Sequence, residues 1–498
     1  MRSRRIEICR WVALSAAVGL VGLAPQVVSA ATGRTSAGWQ PATKVGVGLN
    51  NGYAGLQSVS CTASGDCTAV GSTDWRWNVS AARSDAQALV ASESGGVWRK
   101  AQRVATQLNV GDDAGLNAVA CTSPGNCVAV GSAETSGKDS GALVVEEIGG
   151  RWNAGKIVAP TLRRGGVAFL ESVSCASFGN CTAVGATTSS NDVPHPLVVT
   201  ELGGEWGSGK ELPVSLGIGD STLSTVMCPA PSDCAAAGSY VDVHSGTQAF
   251  VDSMSNGVWS AAKPVGQAFT TSSHEANLTS VSCNAVGDCV AVGYSNRFTA
   301  SVTVVRASPL AVVEVKGVWG KGVEVAKALN SGGQGELDSV SCPKRVTCTA
   351  VGMYTLRDGH AHPLGVTEVN GSWGAPLLVA GTIPASYQAF NNYGDTLFDS
   401  EGDLDSISCP APRNCEALFS YMSNQGIQVA VASRLLGGEW TQSSIVGQNL
   451  VPARVDNARG APYVVPFAVS CSAPDECSAV GNYGWSGVKG QAFAVNLR

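Results

Sequence analysis

Sixteen of the seventeen cysteines form eight pairs with a single spacing, Cys-x5-Cys, and this repeat constrains the fold more than any other feature of the sequence. The first cysteines of successive pairs lie between 53 and 67 residues apart, and the typical flanks are Leu-x-Ser-Val-Ser before the pair and x-Ala-Val-Gly after it. The pairs are Cys61/Cys67, Cys121/Cys127, Cys175/Cys181, Cys228/Cys234, Cys283/Cys289, Cys342/Cys348, Cys409/Cys415 and Cys471/Cys477. Eight copies of one phrase indicate a repeat architecture in which each copy is one structural unit.

The spacing favours disulfide bonds over zinc ligation. Zinc sites need four ligands close together, whereas each pair here is far from the next and has no histidine beside it. The two flanks are short segments rich in small and β-branched residues, and the loop between them often contains Gly or Pro. This pattern predicts a β-hairpin in which the two cysteines face each other. Each small disulfide ring would then stabilise the fold by roughly 2 kcal/mol.

Each hairpin is followed by an apolar run and, in seven units, by a Gly-rich turn and a tryptophan. These tryptophans are Trp98, Trp152, Trp206, Trp259, Trp319, Trp373 and Trp440. The two hairpin strands, the apolar run and the tryptophan segment make four strands per unit. Repeats of roughly 40 to 60 residues with four antiparallel strands are typical of the blades of a β-propeller.

The eighth unit lacks a tryptophan segment, because the sequence ends after its third predicted strand. The missing segment is present near the N-terminus, where Trp39 follows Ala37 and Gly38. We therefore predict an all-β fold, a single eight-bladed propeller over residues 31–498, in which residues 36–43 complete the last blade and leave no open edge. The blade hairpins would begin near residues 56, 116, 170, 223, 278, 337, 404 and 466. Two smaller propellers or a β-solenoid are the alternatives.

The first thirty residues have the pattern of a secretory signal peptide. Arginines cluster in the first ten residues, an apolar run extends from Trp11 to about Leu23, and Val28-Ser29-Ala30 is a small-residue cleavage signal. The remaining cysteine, Cys9, lies in this segment. The alternative is an uncleaved membrane anchor, but the run is short for a spanning helix. We expect a secreted, extracellular monomer without stable membrane insertion.

Composition excludes two further classes of protein. Hydrophobic residues make up 44% of the chain, which is too much for an intrinsically disordered protein. The formal net charge is −6, and the chain beyond the arginine-rich first ten residues is more acidic still. A general nucleic-acid binder would be basic, so we expect no nucleic-acid partner.

The Ser-Val-Ser-Cys-x5-Cys-x-Ala-Val-Gly phrase, followed by Gly-Gly-x-Trp, resembles the repeats of secreted bacterial β-propeller proteins. These belong to the broad WD40, YVTN and sialidase-like propeller superfamily. The resemblance covers residues 36–498. It implies the fold but not an activity, because propellers include both binding proteins and enzymes.

The loops of varying length indicate where function would lie. The cysteine loop and the Gly-rich turn barely vary and share one face of a blade, whereas the variable connections share the opposite face. Variable loops on a rigid scaffold usually carry binding residues. Aromatic residues that suit a sugar ring or a protein side chain collect just beyond the second strand, namely Trp75, Trp77, Tyr240, Tyr294, Tyr354, Tyr421, Tyr483 and Trp485. The alternative is that these aromatics only seal the contacts between blades.

Evidence for an enzyme is weak. Neither G-x-S-x-G nor H-E-x-x-H occurs, and the repeated boxes of sialidases are missing. We interpret His360 and His362 beside Asp358, and the acidic stretch 399–405, as solvated loops, and we expect neither a metal nor a cofactor. The sequence favours a non-catalytic binding module for a glycan or a protein at the cell envelope or outside it. The alternative is a propeller-type polysaccharide hydrolase or lyase.

Overall fold

The computed structural model describes residues 38–49, 52–75, 85–111, 113–136, 139–160, 162, 166–188, 193–212, 219–242, 246–265, 274–298, 304–344, 347–357, 361–379, 406–422, 427–441, 443–450, 461–485 and 488–498. The predicted signal peptide, residues 1–30, lies outside them. The described chain is all-β apart from one short 3₁₀ turn at Gln448–Leu450. None of its helices is long and apolar enough to cross a membrane.

The strands follow the cysteine repeat unit by unit. The N-terminal strand and the first four units comprise β1 (Thr43–Val45); β2 (Tyr53–Ala63), β3 (Asp66–Trp75), β4 (Gln87–Ser94), β5 (Val97–Trp98), β6 (Gln102–Arg103); β7 (Ala114–Ser123), β8 (Asn126–Ser136), β9 (Asp139–Ile148), β10 (Arg151–Trp152), β11 (Lys156–Val158); β12 (Ala168–Ser177), β13 (Asn180–Thr188), β14 (Pro194–Leu202), β15 (Glu205–Trp206), β16 (Lys210–Glu211); β17 (Ser221–Ala230), β18 (Asp233–Asp242), β19 (Gly246–Ser255), β20 (Val258–Trp259) and β21 (Lys263–Pro264).

The second half of the chain repeats the same order. Units five to eight comprise β22 (His274–Ala285), β23 (Asp288–Phe298), β24 (Val304–Val315), β25 (Val318–Trp319), β26 (Val323–Glu324); β27 (Gly335–Lys344), β28 (Thr347–Thr355), β29 (Ala361–Val369), β30 (Ser372–Trp373), β31 (Leu377–Leu378); β32 (Ser406–Ala411), β33 (Asn414–Met422), β34 (Gln428–Leu436), β35 (Glu439–Trp440), β36 (Ser444–Val446); β37 (Pro462–Ala473), β38 (Glu476–Trp485) and β39 (Val488–Leu497).

Within each of the first seven units the strands pair antiparallel, the three long strands in chain order, and the seventh and eighth units share one sheet through a single parallel pair, Gln428 with Tyr463. In the first unit β2 pairs with β3 and β3 with β4, and the outer strand is broken into two short pieces, β5 and β6, that both pair with β4. The turn between β4 and β5 is tight because Gly95 and Gly96 adopt positive φ angles of 57° and 85°. Non-glycine residues rarely adopt this conformation, which explains the Gly-Gly pair before most of the tryptophans.

The disulfide prediction is confirmed, because all eight cysteine pairs are bonded. In the first unit Cys61 and Cys67 are directly opposed in the β2–β3 ladder, with their Cα atoms 4.1 Å apart. A short antiparallel hairpin thus brings the two thiols to the distance that a disulfide requires.

The two cysteines face each other in every unit, but in three units the backbone ladder is interrupted at the cysteines. The ladder pairs Cys175 with Cys181 and Cys471 with Cys477, but it skips the pairs Cys228–Cys234, Cys342–Cys348 and Cys409–Cys415. In these three hairpins the residue after the first cysteine is a proline, Pro229, Pro343 or Pro410. Every hairpin shifts register at this point, and in these three, where proline has no backbone N–H to donate, the ladder also lacks the pair at the cysteines. The disulfides form all the same, with Cα–Cα distances of 4.0 to 4.2 Å.

One cysteine of each pair is a core residue. The second cysteine is buried in every unit, at Cys67, Cys127, Cys181, Cys234, Cys289, Cys348, Cys415 and Cys477. Exposure is 2% for Cys181, 0% for Cys348, 1% for Cys415 and 5% for Cys477. The second strand of each hairpin lies between two neighbours in its sheet and packs against the adjacent unit, which covers the sulfur. These residues therefore belong to the core and do not form a surface site.

The serines of the repeated phrase connect neighbouring units. Ser58 Oγ and Ser60 Oγ of the first unit accept hydrogen bonds from the backbone N–H groups of Val119 and Cys121 in the second. The same bonds recur further along the chain, for example from Cys228 N–H to Ser174 Oγ and from Cys409 N–H to Ser341 Oγ. First strands of consecutive units therefore lie side by side, held by a side-chain acceptor where a backbone acceptor is out of reach.

The same contact links the eighth unit to the first. Cys61 N–H donates to Ser470 Oγ at 3.0 Å, and β37 lies beside β2. The outer strand of the eighth unit comes from the N-terminus, because Thr43–Val45 pair with Ala492–Ala494 of β39 and Trp39 bridges Leu497.

The core lies between the sheets and consists of small apolar residues. In one cluster Val90 and Val104 of the first unit pack against Leu116, Val119 and other residues of the second. Close packing also explains the glycine that ends the x-Ala-Val-Gly phrase, because a Cβ atom on Gly71 would lie 2.0 Å from the backbone oxygen of Gly55. Each sheet therefore depends on its neighbour for burial of its apolar faces.

Candidate functional site

The two short turns of a unit meet at one end of its sheet. In the first unit Gly96 N–H donates to Gly65 O at 3.0 Å, so the Gly-Gly turn rests on the cysteine loop. The equivalent bond joins Gly150 to Gly125 in the second unit and Gly317 to Gly287 in the fifth. We call this end the cysteine end and the opposite end, which carries the variable connections, the loop end.

Three of the aromatics predicted to bind ligand lie in the core. Tyr240 and Tyr421 are 5% exposed and Tyr354 only 1%. The Tyr240 ring packs edge-on against Phe250 at 6.2 Å, and the Tyr354 ring lies 5.6 Å from that of His362. Burial at these positions means that the three rings pack between sheets and do not present a face to solvent.

The other predicted aromatics divide into two groups. Tyr294, Tyr483 and Trp485 are half-buried at the loop end, and Lys44 Nζ lies 5.6 Å from the centre of the Tyr483 ring. The backbone of Trp75 pairs with Tyr53 in the β2–β3 ladder. The side chain of Trp75 and the whole of Trp77 lie outside the described residues, as do the loop histidine His360, Asp358 and the acidic stretch 399–405.

A groove with a volume of about 490 Å³ lies at the cysteine end, between the first and second units. Its floor is formed by Glu147, which is 3% exposed. The Glu147 carboxylate accepts hydrogen bonds from Thr68 Oγ1 and Ser92 Oγ, each at 3.3 Å. Burial raises the pKa of Glu147, and the two hydroxyls lower it in part.

The rim of this groove is charged. The exposed side chains of Arg99 and Lys100 come directly after the outer strand β5, and Asp66 and Gln102 also line the groove. Arg99 is held in place through its backbone N–H, which donates to Ser92 O at 2.9 Å. The groove thus combines a buried acceptor, two hydroxyls and two exposed cations.

An equivalent groove of about 330 Å³ lies between the fourth and fifth units. Its floor is formed by Glu314, which accepts a hydrogen bond from Ser253 Oγ at 2.8 Å. Trp319 Nε1 donates to the same hydroxyl at 2.8 Å. Val258 and Val318, both strongly exposed, and Lys263 form the outer lining.

The floor glutamates occupy one repeat position that the sequence analysis missed. Each lies five residues before the tryptophan of its unit and pairs with it across the Gly-rich turn; they are Glu93, Glu147, Glu201, Glu314 and Glu368. All five are buried although they are charged residues. A glutamate recurring at a fixed distance from tryptophan was the signal available in the sequence, and only burial shows that it is unusual.

One of these glutamates, Glu201, has a strongly raised pKa. Burial, together with the neighbouring Glu146, raises the pKa of Glu201 to about 7. Glu201 Oε2 has no hydrogen-bond partner among the described residues, and Glu146 Oε1 accepts a bond from Trp206 Nε1 at 3.2 Å. Carboxyl groups of the second and third units therefore lie near each other, and their repulsion favours the protonated form of Glu201.

We expect Glu201→Gln to remove a pH dependence of stability. A carboxyl whose pKa rises from 4.5 in the unfolded chain to about 7 stabilises the fold below pH 4.5, and this contribution is lost as the pH rises to 7 and beyond. The variant and the wild type should melt alike near pH 4, and the variant should melt at the higher temperature at pH 8. Thermal melts between these pH values measure the effect, with exposed Glu439→Gln as the control. Parallel curves for wild type and variant would contradict it.

No group of three or more metal-ligating side chains suited to a metal ion occurs among the described residues. His362 of β29 packs on Tyr354. Within the described part of the chain, the acid–base groups gathered at the grooves are the floor glutamates and the rim side chains.

Comparison with known proteins identifies no family. No family model and no curated protein matches the chain. Among solved structures, an ulvan lyase, which is a polysaccharide lyase, matches with a TM-score of 0.43 and 9% identity over 91% of this chain and 96% of the lyase. An α-L-arabinanase of Penicillium chrysogenum in complex with arabinobiose matches with a TM-score of 0.35 and 10% identity over 74% of this chain and 89% of that one.

A six-bladed β-propeller lectin of Aleuria aurantia, described with a fucose recognition mode, matches with a TM-score of 0.31 and 11% identity over 67% of this chain and 95% of the lectin. At such identities and TM-scores, these likenesses carry nothing about the ligand or chemistry of this chain. The described part of the chain is all-β and consists of repeated, disulfide-bonded, four-stranded antiparallel sheets.

Proposed function

We propose that this chain is an exported, closed, eight-bladed β-propeller that binds carbohydrate in the grooves between its blades and acts as a monomer without turning the ligand over. Closure is supported by the bond from Cys61 N–H to Ser470 Oγ and by the N-terminal outer strand of the last unit. Export is supported by the signal pattern in residues 1–30 and by eight disulfides, which persist in oxidising compartments.

The observation that carries the proposed binding is the carboxylate on the floor of the groove between the first and second units. A carboxylate has four lone-pair positions, so Glu147 can accept from Thr68, Ser92 and neighbouring hydroxyls of a sugar at the same time. Charge-assisted bonds of this kind are roughly twice as strong as neutral ones. The groove volume also falls within the range that suits a small ligand.

The arrangement favours binding over catalysis. Glycosidases place two carboxyl groups on either side of the scissile bond, about 5 to 9.5 Å apart. In the groove between the first and second units, the second buried acid, Glu93, is bound by Asn496 Nδ2 and by Arg498 of the eighth unit. Glu147 thus stands on the floor with hydroxyl neighbours and without a free buried carboxyl partner among the lining residues. The polysaccharide hydrolase or lyase alternative is the other outcome of the test.

We expect Glu147→Gln with Glu314→Gln to weaken glycan binding at least tenfold, because a neutral amide accepts fewer and weaker bonds from sugar hydroxyls. A glycan array followed by titration calorimetry on the best ligand measures the loss, and a reducing-sugar assay measures turnover. Exposed Glu439→Gln is the matched control and should bind like wild type.

The loop-end aromatics give the competing location for the ligand. Tyr483→Ala with Trp485→Ala should leave binding intact if the grooves hold the sugar. Loss of binding in this variant, together with retained binding in the groove variant, would move the site to the loop end. If the wild type releases sugar and the groove-glutamate variant does not, the protein is a polysaccharide hydrolase or lyase and the binding proposal is wrong.

A further inference from the structure

The grooves between the first and second units and between the fourth and fifth units both have a buried glutamate on the floor, but they differ at the rim. The tryptophan of the outer strand is followed by Arg99 and Lys100 in the groove between the first and second units, and by Ser260 and Ala261 at the same repeat positions in the groove between the fourth and fifth units. Gln102 and Lys263 pair with equivalent residues of the third strands, which fixes this alignment. The first groove therefore has two cations at positions where the second has none, whereas the second has Lys263, whose Nζ donates to Trp319 O, in place of Gln102.

The two cations of the first groove are available to a ligand. Both side chains are exposed, and no residue within the described part of the chain forms an ion pair or a side-chain hydrogen bond with either. The buried acids nearby are already engaged, since Glu93 forms an ion pair with Arg498 and Glu147 accepts from two hydroxyls. Of the acids in the lining, Asp66 alone has neither kind of partner among the residues that the structure describes.

The attraction of an anion to this rim is local. The formal net charge of the protein is −6, so its overall field repels anionic polymers. At physiological salt, charges more than about 8 Å apart are largely screened, so a rim of two cations can act on a group that sits in the groove. A guanidinium also matches a carboxylate or sulfate with two parallel bonds.

We propose, on the basis of the carbohydrate binding inferred above, that the groove between the first and second units takes an acidic sugar residue of an anionic polysaccharide. The anionic group lies at Arg99 and Lys100, and the sugar hydroxyls donate to Glu147. The groove between the fourth and fifth units takes a neutral residue, because Ser260 and Ala261 replace the two rim cations and the remaining cation, Lys263, already donates to Trp319 O. One molecule thus holds two sites of different charge preference on the same end of its sheets.

The test compares ligands that differ only in charge. Titration calorimetry at 50 and 300 mM NaCl uses hexagalacturonate, its neutral methyl ester, and a sulfated galactan hexasaccharide. We expect at least a tenfold preference of the wild type for an anionic probe over the ester at low salt, and a smaller preference at high salt. Tighter binding of hexagalacturonate would indicate that the ligand is a uronate, and tighter binding of the sulfated probe would indicate a sulfated sugar.

The variants assign the preference to the rim. Arg99→Ala with Lys100→Ala should lose the tenfold preference, and Lys156→Ala with Lys210→Ala, which removes the same charge from exposed positions outside the groove, should keep it. Introducing Ala261→Lys into the first variant should restore part of the preference through the second groove. Retained preference in the rim variant overturns the assignment.

Two outcomes separate this inference from the proposed function. Equal, salt-independent binding of hexagalacturonate and its ester, or binding of neutral glycans alone, overturns the acidic ligand and leaves carbohydrate binding in place. Failure to bind any glycan on an array overturns both.

Discussion

Reduction of the eight disulfides is expected to unfold the protein at room temperature. Each bond closes a short ring whose chain-entropy contribution is about 2 kcal/mol, and eight such contributions together match or exceed the roughly 5 to 15 kcal/mol by which native proteins are stable. Each bond also lies at the end of the two strands that carry the first half of a unit. Circular dichroism and tryptophan fluorescence with increasing reductant measure the loss of structure.

The oxidised protein supplies the reference for this experiment. After denaturation, its intact mass should lie about 16 Da below the reduced value, and digestion should link each cysteine only to the one six positions away. The variant Cys61→Ala with Cys67→Ala controls for a single bond and should lose about 2 kcal/mol of unfolding free energy while keeping the fold. A fully reduced protein that keeps its far-ultraviolet signal and melting temperature would contradict the prediction.

Deletion of residues 38–45 is expected to cause the second largest effect. These residues form the outer strand of the eighth unit, and Val45 belongs to a core cluster with Leu56 and Leu89 of the first unit. Trp39 Nε1 also donates to Glu416 Oε1 at 3.2 Å. Loss of this burial and of the strand ladder should cost about 4 kcal/mol or more and leave the edge of β39 open to other chains.

We expect the truncated protein to melt at least about 5 °C lower and to aggregate, as measured by calorimetry and light scattering. Deleting eight residues from the 384–400 connection, which lies outside the described residues, is the matched control and should change the melting temperature much less. A synthetic peptide of residues 38–45 added to the truncated protein should restore part of the lost stability. Identical melting of truncated and full-length protein would exclude a structural role for this strand.

The contact between Trp39 and Glu416 is a second reason why deleting residues 38–45 should destabilise the fold. Arg434 Nε binds its carboxylate at 3.1 Å, and burial raises the pKa of Glu416 while Arg434 lowers it. Trp39 supplies a further donor to the same buried group. A buried acid that loses a donor is destabilised, so the N-terminal strand contributes through a polar contact as well as through apolar burial.

The local rules that specify the repeat can be followed from residue types alone. Alternating small and β-branched residues on both sides of a five-residue loop specify a hairpin, and the hairpin alone brings Cys61 opposite Cys67. Trp39 could be recognised as the missing outer strand because it matches the tryptophans of the seven other units. These are short-range patterns repeated eight times, so each copy supports the interpretation of the others.

Burial of single side chains depends on neighbours that are distant in sequence. The serines of Ser-Val-Ser-Cys look like ordinary strand residues until Ser58 meets the N–H of Val119, sixty-one residues away. Tyr240, Tyr354 and Tyr421 have the same residue type as Tyr483, but the packing of the adjacent sheet buries the first three and leaves the fourth half-exposed.

The sequence by itself determined the repeat, its four strands, the disulfide pairs and the N-terminal origin of the last outer strand, because hairpins and strand periodicity are local properties of the chain. Only the tertiary structure decided that glutamates such as Glu147 become buried and that grooves open at the cysteine end. Those features depend on the distance between two sheets. That distance is set by packing across the units and by hydroxyls such as that of Thr68, which reach a carboxylate seventy-nine residues away.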